Sequence, residues 1–250
     1  MTDEESLPAR VRTFLLEPDI FFRQLAEKPA QYRWPLAIVL VAGFWYAIGS
    51  WLEMSWFSSF FLAAYSGAGQ SAEFYSSIFW IMVIISSIVG AFILLVTPLV
   101  IGLGFYLLAG FVSKGGSLSH AITATGWGMV PLVVYQAVRI PLFLAFLPAM
   151  SVTVSPEFFT LLKNSSSASS MDSATMAQMI TPNQMYLTHA LADNGLHVLA
   201  CLCCAWFWIP AVRNSCKVSY RHAVLIVLVP LLLFLAFSAG PVLVHDFQAL

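Results

Sequence analysis

Charge is scarce in this sequence of 250 residues. Asp, Glu, Lys and Arg together make up 9% of it, whereas hydrophobic residues make up 60%. An ordinary soluble domain has about 25% charged residues, because a folded surface needs charge to stay dissolved. Several apolar runs also exceed the roughly 18 residues that indicate a membrane-spanning helix. The composition excludes a soluble globular protein and predicts an all-α, polytopic membrane helix bundle.

Known catalytic motifs are absent as well. The sequence has no Gly-x-Ser-x-Gly elbow, no His-Glu-x-x-His motif and no Gly-rich loop that would hold a phosphate. Cys201 and Cys204 share a helical face, but no second Cys or His pair of ligand spacing completes a metal site. We therefore predict no enzymatic activity, no cofactor and no bound metal, and we interpret the cysteines as packing residues.

Five apolar segments are predicted to span the membrane. They cover residues 35–51, 78–112, 122–147, 188–212 and 223–244. The second segment is long for a hydrocarbon core of about 30 Å. It is either one helix that tilts, kinks at Pro98 or extends beyond the bilayer, or two short spans around that proline.

The basic residues favour five spans over six. Five spans place nine of them on one side of the membrane and only Lys163 on the other. The nine are Arg10, Arg12, Arg23, Lys28, Arg33, Lys114, Arg213, Lys217 and Arg221. The positive-inside rule then predicts a cytoplasmic N-terminus and an outer C-terminus. Because topology explains these charges, they do not indicate a nucleic-acid partner.

Two polar parts flank the spans. Residues 1–34 form a predicted cytoplasmic segment before the transmembrane domain at 35–250, and residues 7–28 have apolar residues at helical spacing beside four basic ones. This pattern is typical of an amphipathic segment on the inner leaflet, with a short helix packed against protein as the alternative. The outer part, residues 150–187, includes the run NSSSASSMDS, and this serine tract is expected to be a flexible loop.

Three stretches resemble the Yip (Ypt-interacting protein) family of five-span membrane domains. They are LLEPDIFFRQLAEKP at 15–29, HAITATGWGMVPLVV at 120–134 and SYRHAVLIVLVPLLLFL at 219–235. The long serine-rich loop, and the lack of an acidic cytoplasmic region of the eukaryotic type, depart from the family pattern. The resemblance implies a prokaryotic relative in a bacterial or archaeal plasma membrane. Eukaryotic members bind small GTPases in vesicle traffic, a role that the short cytoplasmic head argues against here.

Ionisable residues within the predicted spans are the candidate functional residues, because charge at membrane depth is costly. Arg139 lies in the third span, and His189, Asp193 and His197 recur every four residues along the fourth. We predict a polar cluster between these two spans, made of Gln136, Arg139, Asp193, Asn194 and His197. Glu53, at the end of the first span, is expected to extend into outer solvent.

Several roles are open to this cluster. An ion pair that fixes helix register is favoured, followed by a substrate or proton pathway and by a lipid headgroup bound at Arg139. A metal site from His189, Asp193 and His197 is least favoured, because eight residues on one helix span roughly 12 Å.

An internal repeat marks the inner loops. Ser117 and His120 precede the third span, and Ser219 and His222 precede the fifth, each pair in a Ser-x-x-His-Ala motif. The motifs indicate either two related hairpins or two serine caps at helix starts. Elsewhere, Ser86-x-x-x-Gly90 and Gly43-x-x-x-Ala47 would permit close helix contacts.

The predicted function is that of a non-enzymatic membrane-organising or scaffold factor. Its predicted partners are membrane lipids and other membrane proteins, or further copies of itself. The alternative is a small transporter or channel subunit that uses the Arg139 cluster. A transporter needs a polar cavity that reaches the membrane midplane, whereas a scaffold needs only paired polar groups between packed helices.

Overall fold

The structure is a computed structural model that describes residues 7–67, 72–113, 115–155, 180–232 and 235. Its helices within these ranges are α1 (Leu7–Leu16), α2 (Pro18–Glu27), α3 (Arg33–Gly67), α4 (Ala72–Gly110), α5 (Leu118–Trp127), α6 (Val130–Phe146), α7 (Gln184–Ser215) and α8 (Tyr220–Leu232). A 3₁₀ turn at Leu147–Ala149 follows α6. Strands β1 (Val152–Val154) and β2 (Ile180–Pro182) pair antiparallel, with Val152 opposite Pro182, and are the one departure from all-helical structure in the described ranges.

Four segments are long and apolar enough to cross a membrane: Arg33–Ser59, Trp80–Gly110, Leu118–Ala149 and Gln184–Ser215. They confirm the predicted all-α polytopic membrane bundle. Helix α8 begins the fifth predicted span, and most of 233–244 lies outside the described residues, as does the serine-rich tract of the outer loop. The five-span count and the orientation stay predictions.

The second predicted span is one continuous helix. Helix α4 runs for 39 residues with Pro98 inside it. Pro98 has no N–H to donate to the carbonyl oxygen four residues earlier, but the helix is unbroken across it, and the hydroxyl of Thr97 donates to the Ile93 carbonyl oxygen at 2.7 Å. Of the two alternatives, the single helix is therefore the one that forms.

The chain divides into two compact units. The first comprises residues 1–43, 92–135 and 196–250, and the second comprises residues 44–91 and 136–195. The first unit has a core of small and aromatic side chains that includes Met129, Cys204 and Trp208. The indole N–H of Trp208 donates to the Thr125 carbonyl oxygen at 3.0 Å. Cys201 and Cys204 are buried, while Cys203 is exposed.

Helices α1 and α2 dock within the first unit through phenylalanines. Phe14, Phe21 and Phe22 are buried, and the Phe14 ring stacks on Phe207 with centroids 4.4 Å apart and contacts Trp127. Protein covers these three rings, as the alternative of a short helix packed against protein requires, while the inner-leaflet position of the segment stays a prediction. Val11, Leu15 and Leu16 remain exposed on the same segment.

Candidate functional site

An ionic cluster lies within the second unit. Arg139 of α6 donates from Nη2 to Oε2 of Glu53 on α3. The Nε atom of the same guanidinium lies 3.3 Å from Oδ2 of Asp193 on α7. All three side chains are partly buried. One cation thus serves two carboxylates, each from a different helix.

Glu53 corrects one expectation. We expected its side chain to extend into outer solvent from the end of a helix near Trp51. Helix α3 instead continues to Gly67, so Glu53 lies inside the helix and its carboxylate faces Arg139. Glu53 is the sole acidic residue of α3. A lone carboxylate inside an apolar helix indicates a buried partner, and the sequence does contain this signal.

The other predicted members of the cluster fall in different places. Asn194 lines the same cavity as Arg139 and Asp193. Gln136 is buried in the second unit, and its Oε1 has no hydrogen-bond partner among the residues that the structure describes. His197 belongs to the first unit, where its ring stacks on Tyr135 with centroids 5.2 Å apart. The structure thus brings Arg139, Asp193 and Asn194 together and adds Glu53.

A cavity of about 300 Å³ opens beside the ionic cluster. Three aromatic side chains form one wall of it: Trp56 stacks on Tyr186 with centroids 5.7 Å apart, and Phe143 meets Trp56 edge-on at 6.1 Å. His189 also lines it and contacts Phe143 edge-on at 5.6 Å. We call this space, with its lining residues, the Glu53 cavity.

Two buried atoms of the Glu53 cavity that can accept a hydrogen bond have no such partner in the described part of the chain. They are Oε1 of Glu53 and Nε2 of His189, whose side chain is only 6% exposed. Buried polar atoms are normally hydrogen-bonded, so such pairs of unused atoms need an explanation.

Across the described residues no group of three or more His, Cys, Asp or Glu side chains is placed to hold a metal ion.

The inner-loop motifs have different hydrogen bonds, all within the first unit. Ser219 Oγ accepts from the His222 backbone N–H at 3.4 Å and lies 2.8 Å from His222 Nδ1, so it caps α8. Ser117 makes no side-chain cap, because its hydroxyl pairs with that of Ser119 at 2.8 Å. The capping interpretation is right for Ser219 and wrong for Ser117.

His120 has a longer-range role. Its Nε2 lies 2.8 Å from the Lys28 carbonyl oxygen and so ties the end of α2 to α5. The two inner loops are joined through their backbones, since the Ser117 N–H donates to the Ser215 carbonyl oxygen at 3.2 Å. The motif residues are therefore structural parts of the first unit.

Comparison with known proteins gives a family and one relative. The sequence model of the Yip1 domain matches residues 12–240. An uncharacterised protein of the archaeon Methanocaldococcus jannaschii is 30% identical over 129 residues, which cover 51% of this chain and 84% of that protein. No solved structure matches the chain.

Proposed function

Since the chain belongs to the Yip1 domain family of membrane proteins, we propose that it is a non-enzymatic scaffold that organises its membrane. It would do so by contacting lipids and other membrane proteins, or further copies of itself. The archaeal relative supports a prokaryotic setting, and we place the protein in the plasma membrane.

The exposed surface of α4 carries this proposal. The most apolar stretch of α4 has a mean hydropathy of 2.6, yet only 11% of its residues are buried within the chain. In the most apolar stretch of α7, 44% of the residues are buried. Its exposed side chains include Ile84, Ile85, Ile88 and Phe92. A long apolar helix with so little internal packing is suited to contact lipid and the helices of partner proteins.

A second surface supports contact with lipid. A groove of about 330 Å³ in the first unit is lined only by apolar residues, among them Val11, Leu15, Ile38 and Val134. The groove has the chemistry of an acyl-chain site, because its walls offer dispersion contacts and no hydrogen bonds.

Photo-crosslinking from α4 in native membranes tests the scaffold proposal. A benzoylphenylalanine would replace Ile88, which is 64% exposed, or the control residue Val83, which is fully buried on the same helix. We expect the Ile88 variant to form adducts with a membrane protein or a second copy, and the Val83 variant to form none. Adducts with lipid alone at Ile88 would contradict the partner half of the proposal.

Transport is the second candidate function, and the Glu53 cavity is the observation that favours it. A transporter reconstituted in liposomes would move protons or a small solute at a rate that falls in Arg139→Gln. A scaffold would give the same leak as empty liposomes. The flux measurement therefore separates the two functions.

A further inference from the structure

We infer that the Glu53 cavity binds an organic ammonium group. The inference combines four features of the cavity: its net charge, an unused carboxylate oxygen, its size and its aromatic wall. It does not depend on the scaffold proposal, because it concerns the Glu53 cavity and not the exposed surface of α4.

The charge of the cavity favours a single cation. Glu53 and Asp193 contribute two negative charges and Arg139 contributes one positive charge, so the group carries a formal charge of −1 with His189 neutral. An uncompensated charge is costly in a segment of membrane-spanning composition. One bound monocation would bring the group to neutrality.

Two buried atoms of residues that line the cavity are candidate acceptors for that cation. Oε1 of Glu53 is an unused acceptor, and so is Nε2 of His189 when that imidazole carries its proton on Nδ1. A primary ammonium has three N–H donors, so it can donate to Glu53 and keep donors for a further acceptor of the cavity lining. A neutral hydroxyl has one donor and would leave one of the two atoms unpaired.

The size of the cavity favours an organic cation over a bare metal ion. Its volume of about 300 Å³ far exceeds the roughly 30 Å³ that one water molecule occupies in the liquid. It matches the lower end of the range for small-molecule pockets, about 300–1,000 Å³. The described residues also lack a set of ligands for a metal.

The aromatic wall suits the same ligand. Trp56, Tyr186 and Phe143 surround the cavity, and the first two rings are stacked at 5.7 Å. Ring faces attract a cation within about 6 Å, and Trp does so best. The methylene groups next to an amine would pack on these rings while the ammonium meets Glu53.

The ammonium could come from a lipid headgroup or from a free amine in solution. Native mass spectrometry in mild detergent would compare phosphatidylethanolamine, which carries a primary ammonium, with phosphatidylglycerol, which carries none. Equilibrium dialysis with radiolabelled ethanolamine would test the free amine. Binding of the ethanolamine lipid alone would assign a headgroup site, and binding of both would assign a site open to free amines; either result supports the inference.

Three variants make the test specific. Glu53→Gln removes the acceptor charge and should weaken binding at least about tenfold, as expected for the loss of a charge-assisted hydrogen bond. Trp56→Leu removes the largest ring and should weaken binding while it leaves the charges in place. Glu27→Gln, an exposed carboxylate on α2 of the first unit, is the matched control and should bind as wild type does.

Clear results would overturn the inference. Equal binding of phosphatidylglycerol and phosphatidylethanolamine, with no binding of ethanolamine, would show that the ammonium is not recognised. Unchanged binding in both Glu53→Gln and Trp56→Leu would place the ligand elsewhere. If Ile88 gave no protein adducts while Glu53-dependent amine binding persisted, the scaffold proposal alone would fail.

Discussion

Arg139 donates a hydrogen bond to Glu53, a residue 86 positions earlier in the chain, and the same guanidinium pairs with Asp193 at 3.3 Å. The three residues come from three helices, α6, α3 and α7, all within the second unit. Because the two carboxylates depend on one cation, changes at Arg139 should affect stability more than changes at either acidic residue.

We expect Arg139→Gln to lower the free energy of unfolding by about 3 kcal/mol, because it leaves two partly buried carboxylates without their cation. Glu53→Gln alone should cost less, since Asp193 still pairs with the arginine. The triple variant with Glu53→Gln, Arg139→Gln and Asp193→Asn should recover most of the loss, because it contains no unpaired charge.

Unfolding by SDS in mixed micelles, followed by circular dichroism, would measure these differences. If Arg139→Gln unfolds as wild type does, the ion pairs contribute nothing to stability. If the triple variant is no better than Arg139→Gln, the loss has another cause than unpaired charge.

The sequence predicted the pairing of Arg139 with Asp193 but not the part played by Glu53. Helical spacing assigns residues to one face of a helix, so Asp193 could be matched to Arg139 from position alone. Glu53 was misplaced because the first span was predicted to end near Trp51. In the structure α3 continues to Gly67, and the hydroxyls of Ser55, Ser58 and Ser59 are satisfied within it by carbonyl oxygens three or four residues earlier.

The aromatic wall of the Glu53 cavity was also beyond sequence reasoning. Trp56, Phe143 and Tyr186 are each typical of membrane interfaces, where aromatic residues are common for reasons unrelated to any site. Their stacking depends on which helices are neighbours and in what rotation. Hydrophobic pattern sets the existence and length of a membrane helix, but specific packing sets its rotation.

Two glycines of α4 should respond differently to alanine. A Cβ at Gly102 would lie 2.8 Å from the Ile122 Cα, a backbone atom that cannot move alone, whereas a Cβ at Gly104 meets nothing within 4 Å in the described structure. We expect Gly102→Ala to cost about 1–3 kcal/mol through overpacking. Gly104→Ala should be neutral or slightly stabilising, since alanine favours the helix. Equal SDS midpoints for the two variants would contradict this contact.

Two tryptophans of α7 offer a similar comparison. Trp208 is buried and its indole N–H donates to the Thr125 carbonyl oxygen, whereas Trp206 is exposed. Trp208→Phe should cost about 1–3 kcal/mol, because it leaves a buried carbonyl oxygen without its donor. Trp206→Phe should change the unfolding free energy by less than about 0.5 kcal/mol. A larger loss from Trp206→Phe would contradict the exposed position of Trp206.

Docking of α1 should depend on Phe14 and not on its neighbour Leu15. Phe14 is buried among Phe21, Phe22 and Phe207, whereas Leu15 is exposed. Phe14→Ala should lower the free energy of unfolding by about 3–5 kcal/mol if α1 stays docked. If that cost exceeds the docking energy, α1 is released. Limited proteolysis within residues 7–28 would detect release, and Leu15→Ala is the control. Equal cleavage of both variants would contradict the packing of Phe14.

Cys216 should react slowly with thiol reagents, although it lies in a turn after α7. Burial raises the pKa of the Cys216 thiol, and contact with the Ser215 hydroxyl opposes this rise only in part. A raised pKa means less thiolate at neutral pH, so the rise in alkylation rate with pH should occur at higher pH than for an exposed cysteine, whose pKa is about 8.5. The measurement is N-ethylmaleimide labelling at pH 7 and pH 9 of a variant with Cys201, Cys203 and Cys204 replaced by alanine.

The matched control adds Tyr220→Cys, an exposed position four residues along, to a chain without the other cysteines. We expect Cys216 to react more than about tenfold more slowly than the control at pH 7, since it needs both ionisation and exposure. Equal rates at pH 7 would mean that the turn opens readily and that the packing of Gly116 against Cys216 is loose.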